Sequence, residues 1–424
     1  MNISVIGLGK VGSAMVAVFA SKGFRVWGFD IDEKAVATLR AGNPVVPEPM
    51  VSELLRDHQN NTVFTNSIEE VIANTDVSFI IVPTPSDNQG FFVTSYVEDA
   101  IKKLVDARIK NKKHVIVVSS TVMPGSMSRM SSKFYEEMQT DCERSDFQFV
   151  YSPEFIALGN VVGNLLEPQF CLIGSDEKLL DSNKWGAKLT IRIKRHVTSN
   201  AKPVHSVTFE SAEIAKISCN TFLTTKIAYA NLIAQMVSKI PRAKSSEVFS
   251  VLHSDDRIGQ KFFNPGLGYG GPCLPRDNKA LGGLLETLQI SSQIPLATHD
   301  FNESLVEQFL NSSELTELVS GEKILILGLA YKNGTSSLIE SQALKISLKL
   351  SSIGVKVRAH DFEVDFSRNE LSFLDYGSNI LDLELLENSK MVFIALGDDR
   401  YADFVQRHIK GKIKYLDPWA VVKA

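Results

Sequence analysis

Short apolar runs alternate along this chain with stretches of helical spacing. Residues 2–6 form a compact apolar run that leads straight into glycines, and residues 13–22 then carry a helical pattern. A turn at Gly23 opens a second apolar run that ends on Asp30. Further strand-like runs stand at 76–82, 114–118 and 147–150, with helical segments near 67–73 and 97–107 between them. Strands alternating with helices predict a doubly wound, mainly parallel sheet, in which ligands bind beyond the carboxyl ends of the strands. The polar run from about 196 to 206, which contains Pro203, reads as a linker, and residues 211–239 read as one long helix. From Glu322 a second strand-helix-strand plan begins, with runs at 323–332, 355–361, 391–396 and 412–416 and a helix near 342–352.

At 424 residues the chain exceeds one ordinary domain. The expected fold is α/β: two Rossmann-like doubly wound parallel-sheet domains joined by a helical central domain with a long helix, with boundaries at 1–199, 200–300 and 301–424. With 45 basic and 49 acidic residues the net charge is -4, so there is no polybasic field for nucleic acid or an anionic membrane. No apolar run approaches the length of a membrane span, and a strand pattern starts within two residues of Met1, so neither a transmembrane helix nor a signal peptide is expected. Cys142, Cys171, Cys219 and Cys273 lie far apart, against a disulfide framework or a zinc site. A reducing cytoplasm is the expected location, and no metal is expected.

The first glycines, Gly7, Gly9 and Gly12 with Val11 between them, follow a strand and open a helix, and Asp30 stands about twenty residues on. That context makes them a dinucleotide fingerprint: Gly9 lets a pyrophosphate reach the helix N-terminus, and Asp30 accepts from the ribose hydroxyls. A carboxylate at Asp30 repels a 2′-phosphate, so the expected cofactor is NAD. Three further strand ends carry polar or proline-bearing motifs, Pro83-Thr84-Pro85, Ser119 to Gly125 with Thr121, and Ser152-Pro153-Glu154-Phe155, and together they predict a cleft. On the long helix Lys216 and Asn220 are four apart and share a face.

Gly266 to Asp277 places Cys273 between a glycine-rich loop and a helical run. Glycines allow a backbone to approach a ligand closely, and a helix N-terminus favours thiolate. A lone cysteine is more often buried and inert. The four nearby glycines and the carboxylate that follows favour a reactive thiol.

These motifs, in type, order and spacing, resemble the UDP-glucose/GDP-mannose dehydrogenase family over nearly the whole length. The match includes Glu48-Pro49, Ser120-Thr121-Val122 with Pro124-Gly125, and Gly328 to Lys332. The resemblance implies oxidation of the C6 alcohol of a nucleotide sugar to a carboxylate with two NAD, and a homodimer formed through the middle domain. It casts Cys273 as nucleophile and Lys216 and Asn220 as oxyanion stabilisers. Asp277 becomes a partner of an ordered water or of Lys216, and Glu154 and Thr121 handle protons and water. It places Phe155, Tyr269, Gly270, Arg257 and Lys332 on the substrate, Arg257 from the neighbouring subunit, and Pro83, Thr84, Thr121 and Glu154 beside the cofactor.

The chain departs from the family pattern at Ile339, where an Arg usually helps clamp the NAD pyrophosphate, and at Ser336-Ser337, where acidic residues are usual. Arg276 replaces a Lys, and Leu158 a common Glu. Glu154-Phe155-Ile156 and Asp256-Arg257-Ile258-Gly259 favour UDP-glucose over a UDP-N-acetylhexosamine or GDP-mannose. A catalytically silent nucleotide-sugar-binding relative is the second reading. A two-electron hydroxyacid dehydrogenase, the third, leaves Cys273 and the C-terminal unit idle.

Overall fold

The computed structural model describes residues 1–109, 112–138, 146–176, 184–199 and 202–422; Cys142 lies outside them. The chain divides into two compact units, Met1–Ser218 and Cys219–Ala424. The first contains strands β1 (Asn2–Ile6), β2 (Arg25–Phe29), β3 (Thr62–Thr65), β4 (Val77–Ile80), β5 (His114–Val118), β6 (Phe147–Tyr151), β7 (Cys171–Ser175) and β8 (Val204–Thr208). Its helices are α1 (Lys10–Ser21), α2 (Glu33–Arg40), α3 (Val51–Asp57), α4 (Ile68–Asn74), α5 (Ser95–Asp106), α6 (Ser126–Glu137), α7 (Val161–Leu166) and α8 (Trp185–Val197).

The strands form one sheet in the order β3-β2-β1-β4-β5-β6-β7-β8. Every pairing is parallel except β6 with β7. Its central strands are buried on both faces, so they read as continuous apolar runs. Val5, Phe79, Val117 and Val150 join the apolar layer that includes residues of α1, α7 and α8. Ile80, Val118 and Tyr151 join the opposite layer with residues of α4, α5 and α6. One polar chain crosses the sheet: Ser4 Oγ lies 2.7 Å from Ser78 Oγ, which lies 2.8 Å from His114 Nε2. Burial pushes the His114 pKa down to about 4.

The expected linker near 196–206 is corrected here. Residues 204–208 form the edge strand β8, in parallel register with β7 from Cys171↔Val204 to Ser175↔Thr208. Its residues are exposed or half-exposed, which is why a strand at the sheet margin reads as polar coil.

Helix α9 (Phe209–Lys239) begins in the first unit and continues into the second. There α10 (Ser245–His253), α11 (Leu274–Thr287) and α12 (Gln293–Leu310) precede β9 (Lys323–Leu327), α13 (Gln342–Ser352), β10 (Lys356–His360), β11 (Tyr376–Ser378), β12 (Ser389–Ile394), α14 (Asp399–His408) and β13 (Lys414–Leu416). The second sheet is fully parallel in the order β11-β10-β9-β12-β13, the same winding as the first five strands of the larger sheet.

Candidate functional site

In the first unit, β1 runs into Gly7, whose φ of +96° favours glycine and whose N–H donates to Phe29 O at 2.8 Å. A Cβ on Gly12 would overlap the carbonyl of Gly7, so close packing of helix on strand requires glycine there. Gly9 differs, because a Cβ on it would meet nothing within 4 Å. It is the N-cap residue of α1 and offers no side-chain cap, and the first turn holds no acid, so those N–H groups remain available to an anion. The half-exposed Val11 lies in that turn. Asp30 accepts from Leu8 N at 2.6 Å and Asp32 N at 3.0 Å, which fixes the carboxylate at the end of β2 and leaves acceptor capacity for hydroxyls. This arrangement fits a dinucleotide.

The loops beyond β4, β5 and β6 are tied to one another. Ser120 Oγ donates to Val82 O at 2.7 Å and accepts from Val82 N at 2.9 Å, and Thr84 Oγ1, next to Pro83, donates to Thr121 O at 2.8 Å. Glu213 of α9 accepts from Gly125 N and Met127 N at 2.7 Å each, capping α6. Burial pushes the Glu213 pKa up to about 7, against the pull of those N–H groups. One turn on, Lys216 donates to Glu154 O at 2.7 Å and sits 4.5 Å from the Phe155 ring centroid. Phe155 in turn packs on Phe170. The carboxylate of Glu154 is ion-paired with Lys194 of α8. Thr121, Glu154 and Phe155 thus lie on neighbouring loops at one end of the sheet, and Lys216 reaches Glu154 from α9. Glu213 and Lys194 were missed from the sequence. Glu213 had a signal, since it stands three residues before Lys216 on one helix face. Lys194 had none: in the basic run 194–196 it reads as a solvated helix end.

In the second unit Cys273 occupies the N-cap position of α11 and is exposed. Asp277, in the first turn of that helix and fully buried, accepts from Asn220 Nδ2 at 2.6 Å and from Arg276 Nε and Nη2 at 3.1 Å. Asn220 therefore has the reason to sit mid-helix that the sequence lacked. Its neighbour Thr224 donates to Asn278 at 3.0 Å, a second tie between α9 and α11.

The glycine-rich loop owes its composition to packing as well as to any ligand. A Cβ on Gly266 would meet the Trp419 ring at 2.5 Å; on Gly268 it would overlap Asn302, on Gly270 the Glu340 carbonyl, and on Gly271 the Tyr331 ring. Gly271 N also donates to Ile339 O at 2.9 Å. Tyr269 is buried with its hydroxyl bonded by Asn278 Nδ2 at 2.8 Å and its backbone bracketed by Asn302, so its ring shapes the loop from inside. Burial pushes the Tyr269 phenol well above its usual range. Arg257 is exposed and paired with Asp255 at 2.6 Å, and Lys332 is half-exposed beside Tyr331.

Comparison with known proteins decides the lineage. Three domain models of the UDP-glucose/GDP-mannose dehydrogenase family match in order: the NAD binding domain over residues 1–185, the central domain over 210–304 and the UDP binding domain over 325–423. The chain belongs to the UDP-glucose/GDP-mannose dehydrogenase family. Its chemistry is that of a nucleotide-sugar 6-dehydrogenase, and its cofactor is NAD. The chain is 28% identical to UDP-glucose 6-dehydrogenase AglM of Haloferax volcanii, with 95% of this chain and 92% of the relative covered. It is 26% identical to GDP-mannose 6-dehydrogenase of Pseudomonas aeruginosa, with 97% and 95% covered. Among solved structures, a UDP-glucose dehydrogenase from the hyperthermophilic archaeon Pyrobaculum islandicum superposes with a TM-score of 0.86 at 28% identity, covering 99% of this chain and 98% of that one. Among the described residues no helix is long and apolar enough to cross a membrane, and no cluster of metal-ligating side chains occurs.

Proposed function

We propose that the substrate is a UDP-hexose, UDP-glucose in the first place, oxidised at C6 to UDP-glucuronate through covalent intermediates on Cys273. The observation that carries this reading is an exposed thiol at the N-terminus of α11, one turn from a buried carboxylate that fixes Asn220. Bound NAD supplies the hydride acceptor, twice per sugar.

The first hydride and a proton leave the alcohol, and Cys273 adds as thiolate to the resulting aldehyde, giving a thiohemiacetal. Loss of a second hydride gives a thioester, and water cleaves it to carboxylate and free thiol. The Lys216 ammonium and the Asn220 amide serve the oxyanions of these tetrahedral species, with Asp277 holding the amide. Glu154 and Thr121 orient the water, and the Asp30 carboxylate and the α1 N-terminus hold the ribose and pyrophosphate of NAD. Phe155 and the loop of Tyr269 and Gly270 shape the sugar pocket. Lys332 and a second subunit's Arg257 reach the substrate.

The resemblance of Asp256 to Gly259 and of Glu154 to Ile156 to UDP-glucose enzymes supports that sugar, as do the curated relative and the solved neighbour that carry its name. A second copy of the chain is supported by Phe222, Tyr229 and Met236, exposed apolar side chains seven residues apart on α9. Its scattered cysteines support a location in a reducing cytoplasm.

The test is NADH formation with UDP-glucose, UDP-N-acetylglucosamine, UDP-N-acetylmannosamine, UDP-N-acetylgalactosamine and GDP-mannose. Two NADH per UDP-glucose, and loss of overall turnover in Cys273→Ala, are expected. Faster turnover of another sugar overturns the substrate, and no NADH with any of them favours the silent relative.

A further inference from the structure

Lys194 is an unusual residue to find inside a sheet's helical cover. Its side chain is 7% exposed, and its ammonium pairs with the carboxylate of Glu154, itself 12% exposed. The same ammonium lies 5.8 Å from the Phe79 ring centroid. Removing a buried charge from water is costly unless a partner is fixed beside it, and among the described residues Glu154 is the carboxylate paired with Lys194. Two further polar groups sit nearby in the fold. Ser119 and Ser152, just beyond the paired ends of β5 and β6, are buried with hydroxyls that find no partner among the described residues. Val117 and Val150 belong to the α8 side of the sheet and Val118 and Tyr151 to the other, so strand alternation returns Ser119 and Ser152 to the side of Lys194.

We propose that Lys194 is a positioning residue for the hydrolytic half of the reaction, holding the Glu154 carboxylate aimed so that it orients the attacking water as an acceptor. The inference rests on the proposed role of Glu154. The groups that face Glu154 are consistent with it. From α8 comes the Lys194 ammonium; from α9 comes Lys216, whose ammonium bonds the Glu154 backbone carbonyl. From β7 comes Cys171, whose thiol burial pushes up and keeps neutral, while Lys194 pulls the other way. His205 of β8 stands further out, against the Phe170 ring that packs on Phe155. The buried ion pair holds the carboxylate in one place, where its remaining lone pairs can accept from a water.

The experiment compares Lys194→Met, Lys194→Arg, Glu154→Gln and the double variant Lys194→Met/Glu154→Gln with UDP-glucose and NAD. Lys194→Met is expected to lower kcat roughly 100-fold at neutral pH with both KM values little changed. It releases a burst of two NADH per site before slow turnover and leaves acylated Cys273 visible by mass spectrometry. Lys194→Arg restores most of kcat and abolishes the burst. The double variant, which leaves no uncompensated charge and so folds even if Lys194→Met does not, is expected to be no slower than Glu154→Gln alone. Wild-type kcat in Glu154→Gln overturns the reading of Glu154 itself. A slow, acylated Glu154→Gln beside a Lys194→Met of normal rate and no burst overturns only the role of Lys194. So does a double variant slower than Glu154→Gln by a further large factor.

Discussion

The two sheets share one winding and almost one opening move, yet they present different surfaces to a ligand. In each, the first strand ends on a glycine of nearly equal φ, +96° at Gly7 and +95° at Gly328. In each, that glycine's N–H reaches the end of the second strand, at Phe29 O and His360 O. In each, a carboxylate following the second strand accepts from the next backbone N–H. The difference begins one residue later. Helix α1 starts at Lys10, three residues beyond Gly7, whereas α13 starts at Gln342, fourteen beyond Gly328. The first unit therefore aims a helix N-terminus at the strand end; the second puts a long loop there. The carboxylates diverge too. Asp30 has two backbone partners and is half-exposed, while the buried Asp361 is taken up by Leu329, Ala330, Glu363 and Val364. A Rossmann-like winding is thus not itself a dinucleotide site. The distance from glycine to helix and the spare capacity of one carboxylate decide it.

The largest test of this contrast lies five residues beyond each of the two glycines. Gly12→Val places a side chain into the Gly7 carbonyl and is expected to abolish NAD binding and destabilise the first unit by about 4 kcal/mol or more. Asn333→Val, the same number of residues past Gly328, is expected to leave NAD affinity within about twofold, because Asn333 is exposed and its side chain donates to Gly397 O. Calorimetric titration with NAD and thermal unfolding measure both.

Next come the carboxylates. Asp361→Ala orphans four backbone N–H groups, three of them buried, and is expected to cost on the order of 3 to 5 kcal/mol in unfolding, with NAD affinity retained. Asp30→Ala is expected to do the reverse, weakening NAD roughly 10- to 100-fold while costing about 1 kcal/mol of stability. An equal loss of NAD affinity in both variants would break the comparison.

The units should also respond differently to acid. His114, lowered from 6.5 to about 4, binds fewer protons in the native state, so its contribution is lost as pH falls through that window. Glu213, raised from 4.5 to about 7, binds more, so its contribution is lost as pH rises through nearly the same window. Each is worth on the order of 3 kcal/mol, and the two slopes oppose. In the second unit, burial lowers His360, and ion pairing outweighs burial to lower Glu303, so both lose stability toward acid. Amide exchange from about pH 4 to 7 is expected to show a flatter first sheet, and Glu213→Gln to steepen it by exposing the His114 slope.

The smallest effect is expected at Ile339, which is exposed and contributes its backbone carbonyl to Gly271. Ile339→Arg, restoring the residue usual in the family, is expected to lower the NAD KM about threefold. An unchanged KM would show that the departure is neutral.

What the sequence made legible was local. The glycine fingerprint, the buried central strands and the helix at 342–352 are each specified by neighbouring residues, and they stand where the pattern put them. The edge strands β8 and β11 were not legible, whereas the edge strand β13 lies within the run at 412–416. β8 exposes most of its side chains and β11 has three residues, so neither carries an apolar run. The site was half legible for the same reason. Cys273 and the Lys216–Asn220 spacing follow from helix geometry, but Lys194 reaches Glu154 from forty residues away. The glycines before Cys273 suggested room for a ligand. Their packing partners Asn302, Tyr331, Glu340 and Trp419 lie too far along the chain for any local pattern to show.

That packing has a practical side for anyone wishing to redesign the loop. Randomising Gly266 or Gly271 alone would return a library of misfolded clones, since each vacant Cβ direction is already filled by an aromatic ring. Diversity has to be introduced in matched pairs, a larger residue in the loop together with a smaller one at Trp419 or Tyr331, so that the two sides of the seam are redesigned as one.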